Sequence, residues 1–151
     1  MRLTLLRAPV YPDPVCDKGE HDFVYSILPH AGDWRCAETV HKAYELNVPL
    51  MTQVGTGSAG TASTCSFACI PQNHVILDTI KGAEDGDGLI VRVYESHGAR
   101  GKVDIHFGFA LKDAFECNLM EENEREVDVD GCSLHFTVKS YEIKTFRIHK
   151  A

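Results

Sequence analysis

Leu89-Ile90-Val91-Arg92-Val93-Tyr94-Glu95 decides the fold class. The run is short, rich in β-branched and aromatic residues and preceded by turn residues, which is the pattern of a strand. The same pattern recurs at Phe23–Leu28, His74–Ile80, Lys102–Phe107, Cys132–Val138 and Ile143–Ile148. Asp85-Gly86-Asp87-Gly88 and Asp130-Gly131 place residues that tolerate positive φ between such runs and predict two hairpins. Several antiparallel strands at short spacing, with alternating polar faces, are accommodated by two sheets packed face to face. The expected fold is all-β, an antiparallel β-sandwich.

One helix interrupts the pattern, expected over residues 33–46. Asp33 is a capping residue, and Trp34, Ala37, Val40, His41 and Tyr44 come after it at spacings of three and four. Pro49 biases Val48 away from helical geometry and ends the run. The Gly, Ser, Thr and Ala residues of 52–66 show no apolar period and predict a flexible loop. Upstream, an apolar strand begins at Leu3, gives way to a loop rich in proline, aspartate and charge, and returns as Phe23–Leu28 before Pro29-His30. That entry reads as a module taken from the middle of a larger chain.

A length of 151 residues suits a single domain over 1–151, and 44% hydrophobic with 25% charged residues describes a soluble globular chain. The net charge of −7 argues against a nucleic-acid partner, whose footprint is basic and clustered. No apolar run approaches the roughly 18–20 residues of a membrane helix. Met1-Arg2-Leu3-Thr4-Leu5-Leu6-Arg7 is too short for a signal-peptide core. A domain of this size does not require disulfide staples, so the six cysteines are expected as free thiols. Asn47, Asn73, Asn118 and Asn123 all lack the Ser or Thr of a glycosylation acceptor. Together these features point to a reducing, non-secretory compartment.

The eight histidines show no metal-ligand spacing with cysteine, and Cys65 and Cys69 have no second pair, so no metal site is expected in this chain. His106 and His135 fall on alternating strands and are expected to face solvent or pack beside aromatics. A retaining glycosidase needs two carboxyl groups about 5–5.5 Å apart. With 22 acidic residues, chance pairs are too common for that argument to select any. The run Glu121–Glu126 reads as a solvated hairpin approach. Polar groups concentrate instead in the loop between the first two apolar runs, at Arg7, Asp13, Asp17, Glu20 and His21, where a sandwich commonly carries function. Tyr11 and Tyr94 are candidate sugar-stacking platforms, Trp34 a weaker one, because aromatic faces match the C–H side of a pyranose while the polar tip stays wet. Tyr94 adjoins Glu95-Ser96-His97-Gly98, a cluster that a strand-end turn also explains.

Three separated stretches, Leu3–Leu50 with its Leu5-Leu6-Arg7-Ala8-Pro9 and Gly19–His30 segments, Ala83–Gly98 with Tyr94-Glu95-Ser96-His97-Gly98, and Ala114–Glu121, resemble the C-terminal β-domain of glycoside hydrolase family 38 α-mannosidases. The similarity is closest to the cytosolic, vacuolar and bacterial branch and covers nearly the whole chain apart from 52–66. The resemblance implies a β-sandwich. It also implies that the zinc ligands and the nucleophilic aspartate belong to an N-terminal α/β domain and a helical region, so this chain carries no catalytic residue and no cofactor of its own. The implied role is accessory to a zinc-dependent retaining enzyme that hydrolyses terminal α-D-mannosyl residues. The implied partners are the catalytic and helical domains of the same polypeptide, mannose-containing oligosaccharides through them, and a homo-oligomer. Nucleic acid and membrane are not expected partners, and the location is cytoplasmic, or vacuolar by way of the cytosol. By the same resemblance Arg7, Asp13, Asp17 and His21 lie near the sugar cleft. A stand-alone carbohydrate-binding β-sandwich module is the alternative.

Overall fold

The computed structural model describes residues 2–54 and 64–151. Much of the loop expected at 52–66 therefore lies outside the described residues. The chain divides into two compact units, residues 1–30 and 31–151.

The larger unit contains one helix, α1 (Thr39–Asn47), and nine strands among the described residues: β1 (Ala68–Cys69), β2 (Val75–Gly82), β3 (Leu89–Glu95), β4 (Gly101–Phe107), β5 (Leu111–Cys117), β6 (Asn123–Glu126), β7 (Val129–Asp130), β8 (Ser133–Val138) and β9 (Ile143–Lys150). They form a four-stranded sheet ordered β1-β4-β8-β7 and a five-stranded sheet ordered β2-β3-β9-β5-β6. Every pairing is antiparallel. Successive side chains on a strand point to opposite faces. Val103, Ile105 and Phe107 of β4 with Leu134, Phe136 and Val138 of β8 thus line one inner face, against Val91, Val93, Phe146 and Ile148 of the other sheet. Phe136 and Phe146 meet across the gap with ring centroids 4.7 Å apart. The β-sandwich expected from alternation is the fold of this unit.

Both expected hairpins form. Gly86 and Gly88 take φ of 80° and 86° between β2 and β3, and Gly131 takes 58° between β7 and β8. A side chain at Gly88 would have its Cβ 2.7 Å from the carbonyl oxygen of Ile148. That glycine is therefore required both by conformation and by the closeness of β9.

The structure departs from the sequence expectations in several places. Phe23–Leu28 forms no strand, and neither does the segment after Leu3: among the described residues both lack helix and strand, and neither sheet takes them as a partner. Alternating apolar residues make a segment compatible with a sheet, but a strand exists only when a second strand supplies its hydrogen bonds. The helix begins at Thr39 rather than Asp33. Asp33 does cap, its Oδ1 accepting hydrogen bonds from the backbone N–H groups of Arg35 and Cys36 at 3.0 Å each. Residues 34–38 then form turns, because Glu38 has φ of 50° and breaks the helical run. β5 was not expected, since its sequence does not alternate strictly and its register with β9 shifts between Leu111 and Asp113. The acidic run 121–126 is only partly solvated: β6 is exposed throughout, but Glu121 is buried.

Candidate functional site

The loop residues singled out in the sequence belong to the unit of residues 1–30, which folds its loop locally. Asp13 Oδ1 accepts the backbone N–H of Val15 at 2.9 Å, and the N–H of Lys18 reaches the carbonyl of Val15 at 3.1 Å. His21 Nε2 lies 3.0 Å from the carbonyl oxygen of Asp17, so that nitrogen carries the proton, and its ring stacks beside Phe23. The thiol of Cys16 bridges towards the Pro9 carbonyl and the Asp17 carboxylate. Asp17 and His21 are thus brought together, Asp13 shapes the turn, and Arg7 and Glu20 are exposed. Tyr11, 86% exposed, sits after Val10 at the start of the loop and is joined to Pro12 by a cis peptide.

Tyr94 lies in the other unit, on β3, where its hydroxyl donates to Tyr44 Oη at 3.2 Å and Tyr44 in turn donates to Asp78 Oδ1 at 3.1 Å. Asp78 occupies the register shift in β2 between Leu77 and Thr79, a bulge that re-aims its side chain towards α1. The Tyr94 hydrogen bond, then burial, push the phenol of Tyr44 above its ordinary range. This relay fastens the helix to the sheet edge, together with His41 Nε2, 3.0 Å from the Asn73 carbonyl. Beside it the helix presents a shallow depression of about 340 Å³ lined by Thr39, Val40, Ala43, Tyr44, Asn47 and Val48.

Glu95-Ser96-His97-Gly98 is a strand-end turn organised by a buried carboxylate. Glu95 is 1% exposed and accepts the backbone N–H groups of His97 (2.8 Å), Gly98 (2.8 Å) and Tyr141 (2.9 Å). Burial alone would raise its pKa, but these amides outweigh it and hold the carboxyl below its ordinary value. Trp34 packs edge-on to His97 at 5.3 Å, with the Arg35 guanidinium 4.5 Å over its ring. Arg35 also donates to the His97 carbonyl at 2.9 Å. One indole face is therefore already occupied.

Sequence reasoning missed the densest charge cluster. β9 is the central strand of its sheet, and residues Lys144 to Ile148 are all buried. Phe146 and Ile148 face the core, so Arg147 projects from the opposite face and must find partners there. It donates to Asn123 Oδ1 (3.1 Å), Asp85 Oδ1 (2.8 Å), the Asp87 carbonyl (2.6 Å) and the Glu121 carbonyl (2.9 Å). Its hydrogen bond pulls the Asp85 pKa down to about 2. Lys81 pairs with Glu121 at 2.8 Å, and Lys144 with Glu116 at 2.6 Å. The available signal was a pair of cations inside an otherwise apolar run, Lys144 and Arg147, with acidic residues in the adjoining turns. His106 and His135 face outward as expected, bonded to Ser133 Oγ (2.9 Å) and Asp104 Oδ1 (2.6 Å).

Chemically these arrangements stabilise anions. Wherever a carboxyl shift is resolved, at Asp33, Asp85, Glu95, Asp104, Asp113, Glu116 and Glu121, it is downward. A glycosidic proton donor requires the opposite. Among the described residues no three His, Cys, Asp or Glu side chains converge as metal ligands. Nor is any helix among them long and apolar enough to cross a membrane.

Residues 74–146 match the glycosyl hydrolases family 38 C-terminal beta sandwich domain. Residues 74–146 belong to this family. The matched span runs from the start of β2 into β9 and includes the Glu95 turn. Alpha-mannosidase 2C1 of Mus musculus is 35% identical over 127 residues, 82% of this chain and 12% of the mouse protein. Alpha-mannosidase G of Dictyostelium discoideum is 36% identical over 152 residues, 96% of this chain and 14% of that protein. Alpha-mannosidase of Saccharomyces cerevisiae is 27% identical over 175 residues, 99% of this chain and 16% of the yeast protein. The chain thus spans less than a fifth of each of these relatives.

Proposed function

We propose that this family 38 β-sandwich is the C-terminal accessory domain of a zinc-dependent retaining α-mannosidase that removes terminal α-D-mannosyl residues. The carrying observation is the match of residues 74–146 to that domain, together with relatives that are α-mannosidases several times longer. In this reading the domain braces the catalytic and helical parts of the polypeptide and shapes the sugar cleft, while zinc and the nucleophile lie in those other parts. Arg7, Asp13, Asp17 and His21, with Tyr11 beside them, border the outer part of the cleft. Free thiols at all six cysteines support a cytoplasmic setting. The test compares the 151-residue chain with the full-length polypeptide on a chromogenic α-mannoside, with and without added zinc. The expected result is hydrolysis by the full-length protein alone. Zinc-dependent turnover by the pure 151-residue chain would overturn the assignment.

A further inference from the structure

The unit of residues 1–30 carries apolar surface that its own fold leaves unburied. In the segment 22–28, Val24 is 82% exposed, Tyr25 62% and Ile27 71%. Leu3, Leu5, Leu6, Val10, Phe23 and Leu28 are exposed as well. The contrast with β8 is direct. Ser133–Val138 has the same alternation, but there Leu134, Phe136 and Val138 are buried because β4 and β7 flank the strand. Segment 22–28 carries Phe23, Tyr25 and Ile27 at the same two-residue spacing, with Val24 and Leu28 on the opposite parity, and among the described residues no strand flanks it. An apolar segment with open N–H and C=O groups is a template for pairing with another sheet edge.

The lengths involved point to its cover. The family domain match begins at residue 74, whereas the similarity to the yeast protein takes in 99% of the chain and so includes this unit. These residues therefore recur in α-mannosidases outside the matched sandwich segment, and more than four fifths of each such relative lies beyond this chain. We infer that residues 3–10 and 22–28 dock as strands onto a sheet edge in the remainder of the same polypeptide, burying Tyr25 and Ile27 against it. This rests on the reading of the chain as part of a longer α-mannosidase and adds the partner and the mode of contact. Docking would also hold the intervening loop, with Asp13, Asp17 and His21, in one position.

Hydrogen–deuterium exchange at amides 22–28, in the 151-residue chain and in the full-length polypeptide, tests the inference. Strand pairing predicts exchange at least tenfold slower at alternate amides in the full-length protein only. Tyr25→Pro and Ser26→Pro remove donors that point to opposite edges, so at least one should abolish the protection while Ser26→Ala keeps it. Far-ultraviolet circular dichroism of the isolated chain should be unchanged by all three, because these residues lie outside both sheets. Fast exchange in a full-length protein that hydrolyses α-mannosides would overturn the docking and leave the functional reading intact. Protection in the isolated chain together with a dimeric mass would overturn it in favour of a second copy. Protection in a full-length protein without mannosidase activity would uphold the docking and sink the function.

Discussion

Glu95→Gln should cost this domain far more than an isosteric change normally does. The native carboxylate accepts one N–H at Oε1, from His97, and two at Oε2, from Gly98 and Tyr141. It thereby ties the end of β3 to the turn that leads into β9. An amide keeps only one acceptor oxygen. Placed at the Oε2 position it preserves two bonds, loses the third and aims its own N–H at the His97 amide; the reverse orientation loses two. Hydrogen bonds to a charged group contribute about 1.5–3 kcal/mol, and the orphaned amide sits where water does not replace the lost acceptor. The expected loss is about 2–4 kcal/mol, or a fall of about 6–15 °C in Tm for a domain of this size. Urea unfolding of the 151-residue chain, followed by tryptophan fluorescence of Trp34 and by far-ultraviolet circular dichroism, measures it. Glu95→Ala should cost at least as much, since it leaves all three donors facing a cavity. A Glu95→Gln loss below about 0.5 kcal/mol would refute the argument that these bonds are charge-assisted and shielded from water.

Asp85 gives a pH signature. Its folded pKa, about 2, lies below the roughly 3.9 of an unfolded aspartate, so its contribution is complete above about pH 4 and is lost as pH falls through 2. Asp85→Asn should therefore narrow its Tm gap to the native chain across that window, as a scan from pH 6 to pH 2 would show. Under native conditions a thiol reagent should find five fast cysteines and one slow one. Burial raises the Cys117 pKa and shields its sulfur, whereas the other five are exposed, and denaturation should release all six. In the full-length polypeptide, under the proposed mannosidase function, Arg7→Ala or Asp13→Ala should lower kcat/KM by roughly tenfold to a hundredfold if the loop contributes a hydrogen bond or charge to an ordered sugar. Unchanged kinetics in both folded variants would mean that the loop only packs.

The parts of the fold legible in the sequence are those where a strand lies between two others or meets the opposing sheet. In β4 and β8 a two-residue apolar period coincides with a buried face, in β3 and β9 the core-facing Val91, Val93, Phe146 and Ile148 keep that spacing within more continuously buried strands, and glycines mark the hairpin turns. β6 was illegible because an exposed edge strand, Asn-Glu-Arg-Glu, carries no apolar signal, only the charge that discourages further pairing at an edge. β5 was obscured by its shifted register. The capping role of Asp33 is legible, but nothing in the sequence forces Glu38 into the left-handed region, so the start of the helix is not.

The site residues divide for a related reason. Tyr94, Glu95 and Arg147 draw their roles from groups distant in sequence: Tyr44 for the first, Tyr141 for the second, Asp85 and Glu121 for the third. Periodicity reports which face a residue occupies and is silent about what it meets there. It places Arg147 opposite Phe146 but does not show that Asp85 neutralises it. The loop of residues 7–21 is the converse case, because its bonds are local and link positions one to seven apart. Its shape is therefore set within its own unit, while the exposed segments on either side require a surface supplied from elsewhere. A short piece of chain can encode its own turn with a few polar side chains; burying Phe23, Tyr25 and Ile27 requires an apolar face, and that depends on the polypeptide to which the segment belongs.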